Sequence, residues 1–212
     1  MLDAIDAWAR LQLDRKNAAR ERALSDSREL TRHCANSIRA VHRGEFERAS
    51  ELRATARQLS DKLSTDLAAH PDLFFTGYVQ DAQKEYVEAS ATYALVAGEP
   101  LSDAETLGVA VAPFLNGLAE AVGELRRYIL DQLRQGRTDR AEEILRTMDE
   151  IYSLLVTMDY PDALTGGLRR TTDVTRGILE KTRGDLTFAL RQRDLEAALA
   201  RFEKVVSPAG HS

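Results

Sequence analysis

Four glutamates in this chain have spacings that can do chemistry. Glu85 and Glu88 stand three apart within Gly77-Tyr78-Val79-Gln80-Asp81-Ala82-Gln83-Lys84-Glu85-Tyr86-Val87-Glu88-Ala89, and Glu120 and Glu124 stand four apart further on. On a helix, residues three or four apart share a face. If the helices carrying the two pairs lie side by side, four carboxylates converge. Without a cation they repel, and at least one pKa must rise. A divalent ion removes the conflict, and an all-oxygen donor set suits Mg²⁺ or Mn²⁺ better than zinc. Such an ion activates water and stabilises phosphoryl oxygens.

The elements around these residues explain why the pattern stands out from ordinary surface acids. Apolar residues recur at Phe75, Val79, Ala82, Tyr86, Ala89 and Tyr93, one stripe at the helical period. With Ala82 as zero and about 100° per residue, Glu85 falls at about −60°, inside the stripe's margin, and Glu88 at about −120°, just beside it. Before Glu120 the chain carries no charge from Thr106 to Ala119. Such a run, apolar all round, predicts a helix buried on several sides. Its surplus of apolar surface also predicts a contact between subunits.

The remaining chain reads as helices punctuated by Gly and Pro. Residues 3–43 predict one long helix, or two in tandem, capped by Gly44. A second helix follows to about Ala69, broken at His70-Pro71-Asp72, and the helix of Glu85 ends near Gly98 and Pro100. Ser102-Asp103-Ala104-Glu105 has the form of a capping box, opening a helix to Gly136 in which Pro113 marks a kink or a break. A further helix carries Ala141, Ile144, Leu145, Met148, Ile151, Tyr152 and Leu155. Beyond Pro161 and Gly166-Gly167 a last long helix is expected from Leu168 to Arg193, then a short one from Asp194. With no strand pattern, the reading is all-α: one domain over residues 1–212, a bundle of six or seven helices.

Composition narrows the function classes. The 212 residues are 43% hydrophobic and 30% charged, ordinary for a globular protein. No apolar run approaches a membrane span. The single Cys34 and the acidic start Met1-Leu2-Asp3-Ala4-Ile5-Asp6 suit a reducing cytoplasm. The net charge of −5 is unevenly spread: residues 10–43 hold nine Arg or Lys against four acids, a local +5 that leaves −10 elsewhere. Within that segment Arg28, Arg32, Arg39 and Arg43 line up on one helix face, either a solvated face or a row for phosphates. A ferritin-like di-iron site would need Glu-x-x-His motifs, which are absent, as are P-loop, Cys/His and G-x-S-x-G patterns.

Several segments resemble the translin family, above all its nuclease-type member, translin-associated factor X. Gln83-Lys84-Glu85-Tyr86-Val87-Glu88-Ala89 is similar to the family's Q-E-Y-V-E-A segment with one residue inserted or shifted at Lys84. Gly117-Leu118-Ala119-Glu120-Ala121-Val122-Gly123-Glu124-Leu125-Arg126-Arg127 resembles G-V-A-D-x-x-G-E-L-x-R. Ser27-Arg28-Glu29-Leu30 and Ser37-Ile38-Arg39-Ala40-Val41-His42-Arg43 resemble the family's first helix, and the likeness spans roughly residues 20–193. It implies a translin-type bundle and a Mg²⁺-dependent endoribonuclease cutting single-stranded RNA within a closed homo-oligomer. By position, Glu85, Glu88 and Glu120 match the catalytic acids, with Glu120 in place of an Asp, and Glu124 matches a further acid implicated in holding the metal. Arg28, Arg32, Arg39 and Arg43 are the expected RNA contacts, with single-stranded DNA an alternative ligand. The competing reading is a non-catalytic helical module that binds single-stranded nucleic acid or a protein partner.

Overall fold

The computed structural model describes residues 2–206. Among them lie six long helices and three single-turn ones, and no strand: α1 (Leu2–His42), α2 (Phe46–Asp66), α3 (Pro71–Phe74), α4 (Gly77–Ala97), α5 (Ala104–Leu107), α6 (Val111–Arg134), α7 (Ala141–Val156), α8 (Asp162–Thr165) and α9 (Leu168–Val206). The architecture is the expected all-α bundle, and no described helix is long and apolar enough to cross a membrane.

α4 is the centre of the bundle because it is apolar on more than one side. Twelve of its 21 residues are buried, among them Val79, Ala82, Tyr86, Val87, Ala89 and Val96. It packs on α1, α2 and α6, and α6 packs in turn on α7 and α9. α4 and α6 are therefore the seam between the α1–α2 half and the α7–α9 half. Ala, Ser and Thr dominate the buried face of α4's second half, and small side chains let its neighbours approach closely. At its C-terminus Gly98 turns left-handed at φ 79°, and Arg140 donates to the carbonyls of Val96 (2.5 Å) and Leu95 (3.1 Å). Those bonds satisfy helix-end acceptors that would otherwise be orphaned.

Three punctuation marks fall differently from the sequence reading. The cap before α5 is Asp103, whose carboxylate accepts from the Thr106 amide at 2.7 Å, one residue later than the Ser102 of the expected box. That helix lasts one turn, because Gly108 enters the left-handed region at φ 67°. α6 then starts afresh at Val111, with Pro113 in its first turn, where a missing N–H costs nothing. Pro113 thus marks a break and no kink. At the other end α9 runs unbroken through Asp194 to Val206. Between Arg193 and Val206 no Gly or Pro interrupts good helix formers, and Gln192 bonds to Glu196 across that point at 3.0 Å.

The charge-free run is largely buried, as its composition predicts. Leu107, Leu115, Asn116, Gly117, Leu118 and Ala119 are buried inside the chain's own bundle. Val111 alone among the large apolar residues of the run is fully exposed. Unpartnered apolar side chains collect instead on the outer turns of α1, at Leu2, Ile5 and Trp8, and of α9, at Leu195, Leu199 and Phe202. Phe75, taken from its spacing as part of the α4 stripe, precedes that helix and is 65% exposed.

Candidate metal centre

The carboxylates meet because α4 and α6 come unusually close, and one residue permits it. A Cβ at Gly117 would lie 2.6 Å from both the Lys84 carbonyl oxygen and Val87 Cβ, a separation real side chains do not tolerate. Glycine here removes the atom that would hold the helices apart. Glu120 sits one turn beyond that contact, on the side facing α4.

Glu85, Glu88 and Glu120 are brought together: one oxygen from each lies within 4.8 Å of the others, and all three are half-buried. Burial and neighbouring charge raise the proton affinity of Glu88 and Glu85. Glu88 is pushed up to about 8, first by desolvation and then by the charges of Glu85, Glu120 and Glu124. Glu85 is raised by desolvation and by Glu120. Lys84 donates to Glu120 Oε1 at 2.7 Å. Burial works against its ammonium, but the bond to Glu120 and the nearby acids hold its pKa above the ordinary lysine value.

Glu124 stands slightly apart from this group. Its carboxylate accepts a 2.5 Å hydrogen bond from His42 Nε2, at the last turn of α1, and lies 3.8 Å from Arg127. The bond from His42 lowers the Glu124 pKa, against the opposing effect of burial. The His42 side chain is only 4% exposed, so this contact is held largely out of water. Beneath the cluster Cys34 is fully buried, its thiol held protonated by burial and by the charges of Glu85 and Glu88.

Of the residues expected from sequence, the structure therefore gathers Glu85, Glu88 and Glu120, and holds Glu124 beside them through His42. Arg28, Arg32, Arg39 and Arg43 do not join. All four are exposed; Arg28, Arg32 and Arg39 lie on the face of α1 turned about 120–160° from Cys34, and Arg43 follows the helix's last residue. Arg32 pairs with Glu29 (3.2 Å), Arg39 donates to Asn36 (2.9 Å), and Arg43 makes two bonds to Glu45 (2.7 and 2.8 Å). His42, Lys84 and Gly117 were not singled out as functional from the sequence. The signals were faint: His42 flanks the Leu30-Cys34-Ile38 stripe, and Gly117 lies three residues before Glu120.

An oxygen-only donor set, half-buried and mutually repelling, fits a hard divalent cation such as Mg²⁺ or Mn²⁺. Lys84 fits less simply, since it already balances one carboxylate.

No protein-family model matches the chain. Over 194 residues it is 32% identical to an uncharacterized protein of Methanocaldococcus jannaschii, covering 90% of this chain and 85% of that protein. Among solved structures it is similar to AfC3PO in a complex with duplex RNA, with a TM-score of 0.83 and 38% identity over 88% of this chain and 97% of that one. A crystal structure of AfC3PO matches at a TM-score of 0.82, again at 38% identity over 88% of this chain and 97% of that one. NeC3PO in its apo form shares the fold, at a TM-score of 0.79 and 20% identity over 89% of this chain and 98% of that one.

Proposed function

Because the chain belongs to the translin family, among its C3PO-type proteins, we propose that it is a metal-dependent endoribonuclease acting on single-stranded RNA. The observation that carries this reading is the cluster of three half-buried carboxylates on two facing helices. Glu85, Glu88 and Glu120 would hold a Mg²⁺ or Mn²⁺ ion, with Glu124 adding charge from the adjacent turn of α6. A bound divalent cation supplies Lewis acidity toward phosphodiester oxygens and lowers the pKa of water.

The chain's own residues supply the rest. Glu88 must release its proton before a cation can bind, so the site is competent only as its carboxylate ionises. His42 fixes the Glu124 carboxylate in one orientation. Lys84 stands on the open side of the cluster, where a phosphate would arrive, and neutralises Glu120 until then. The arginine row of α1 would hold RNA outside the site.

The chain is further proposed to act as a closed homo-oligomer. Exposed apolar side chains available for such contacts lie on the outer turns of α1 and α9, and Val111 adds one from the run before Glu120. Light scattering is expected to show an assembly several times the 23.6 kDa chain, and a monomer that still cuts RNA would end this part of the proposal.

Two observations support other readings. The Lys84–Glu120 pair balances charge as a purely structural ion pair would, which favours a non-catalytic binding module. AfC3PO, 38% identical, forms a complex with duplex RNA, which favours duplex as a ligand. One experiment addresses all three: labelled single-stranded and duplex RNA are incubated with the purified protein, with Mg²⁺, with Mn²⁺ and with a chelator. Metal-dependent, chelator-sensitive cutting of the single strand is expected. Binding with no cutting under any metal would leave the module reading.

A further inference from the structure

Beside the carboxylates opens a cavity of about 700 Å³, with Phe75, Asp81, Lys84, Val111, Glu120 and Leu164 among its walls. Its volume is that of a site for one nucleotide-sized group. It shares Lys84 and Glu120 with the metal centre, so whatever fills it lies directly against the reacting phosphodiester.

Three large exposed apolar side chains converge here from separate turns: Phe75 after α3, Val111 opening α6 and Leu164 in α8. The turn that carries the Phe75 ring is held in place. The ring meets Phe74 edge-on, with ring centres 5.2 Å apart at 89°. The Phe75 amide donates to the Pro71 carbonyl at 3.2 Å, and Gln80 Nε2 locks the turn by donating to the Phe74 carbonyl at 3.0 Å. A ring carried on a fixed turn has only its two side-chain torsions to lose when something flat is laid upon it. The α4 wall of the cavity is polar, with the exposed Asp81 and the half-buried Lys84. A flat group with one apolar face and a hydrogen-bonding edge, linked to a phosphate, satisfies all of these features.

We propose that this cavity is a nucleobase subsite, in which the base next to the cleaved phosphodiester stacks on Phe75 between Val111 and Leu164. The proposal rests on the nuclease reading for its position relative to the cut bond. Lys84, on the shared wall, meets the intervening phosphate, and Asp81 accepts from the base edge. Because stacking tolerates any base, the subsite supplies affinity and register before it supplies sequence preference.

The test is a coupling measurement on the full chain. Fluorescein-labelled RNA heptamers, each with one abasic nucleotide at a different position, are titrated by anisotropy against the Glu88→Gln protein, with or without Phe75→Ala or Phe75→Trp. One abasic position is expected to weaken binding about tenfold. With Phe75→Ala that position should cost nothing further, and Phe75→Trp should restore the loss. Independent, additive losses, or no abasic effect at any position, would overturn the subsite, even where the parent protein cuts RNA and the nuclease reading stands. The coupling in a protein that never cuts would keep the subsite as a binding site and end the nuclease reading. A Phe75→Ala protein of smaller assembled mass without coupling would make the cavity a subunit contact and also overturn it.

Discussion

The α4–α6 seam and the outer face of α1 are written in the same alphabet and behave as opposites. Both carry like charges at helical spacings, Glu85 with Glu88 and Glu120 with Glu124 in one, Arg28 with Arg32 and Arg39 with Arg43 in the other. At the seam, a second helix stands within reach, water is partly excluded, and desolvation with neighbouring charge raises the proton affinity of Glu85 and Glu88. Along α1 the arginines stand exposed, and each of three finds a neighbour on or near its own helix. Spacing alone therefore says little about chemistry. What the opposite surface does to the dielectric and to solvation decides whether a charged row is under tension or at rest.

The tension is most directly broken at Glu88. Glu88→Gln keeps the volume and removes one repelling charge from the desolvated group. RNA hydrolysis is expected to fall by about 10³-fold or more, the scale of losing a catalytic charge. The metal-free protein should at the same time melt higher than the parent above pH 7. An unchanged rate would remove Glu88 from the centre, and a lower melting temperature would mean that the acids do not repel.

The second way to break the seam is steric. Gly117→Ala places a methyl 2.6 Å from the Lys84 carbonyl and Val87 Cβ, both on a helix that cannot swing aside like a flexible side chain. Overpacking of this kind costs roughly 1–3 kcal/mol, or about 2–4 °C of melting temperature per kcal/mol in a chain of this size. As α6 moves off, Glu120 leaves the group, so the Mn²⁺-induced rise in melting temperature should shrink as well. The same stability loss with a full Mn²⁺ effect would show that the close approach does not position the donors.

These residues also mark what was legible in the sequence. Glu85 and Glu120 could be read because each interrupts an apolar context on its own helix. Their meeting could not, because it depends on a glycine whose role appears only when α4 lies across from it. His42 was missed for a similar reason: one histidine at the end of a long helix looks ordinary until α6 presents Glu124 to it. Pro113 is legible as a kink or a break, but the one-turn helix closed by Gly108 is not, because the capping motif at Ser102 points to one helix from there to Gly136. Asp194 misled in the other direction, since an acid in mid-helix resembles an N-cap where no Gly or Pro confirms it.

A pH series sharpens the contrast with a smaller effect. A glutamate raised from 4.5 to about 8 in the folded chain binds its proton more tightly there than when unfolded. Its contribution to stability is full below about pH 4.5 and is lost as pH rises toward 8. Metal binding has the opposite sign, since a cation must displace that proton. The gap in melting temperature between Mn²⁺-loaded and metal-free protein should therefore widen from pH 6 to pH 8.5, and in Glu88→Gln it should be narrower and flatter. A gap in the parent that stays constant over that range would place the proton elsewhere.

The smallest effects belong to the arginines, and they test whether a row at rest can be recruited. Exposed ion pairs and hydrogen bonds contribute little, so a phosphate can displace Glu29 from Arg32 or Asn36 from Arg39 at little cost. Arg43 differs, because Glu45 holds it by two parallel bonds and already supplies the charge a phosphate would bring. Each phosphate contact to a single strand adds about 0.7 to the slope of log affinity against log salt, because binding releases counterions. Changing Arg28, Arg32 and Arg39 to Gln together should therefore flatten that slope by about 2, with only a modest loss of affinity at high salt. Adding Arg43→Gln should change it little further. If the slope is untouched by all four, α1 presents a solvated face and RNA is gripped elsewhere. If Arg43→Gln matters as much as the others, its bonds to Glu45 give way to phosphate, and the two-bond pairing does not distinguish it from its neighbours in the row.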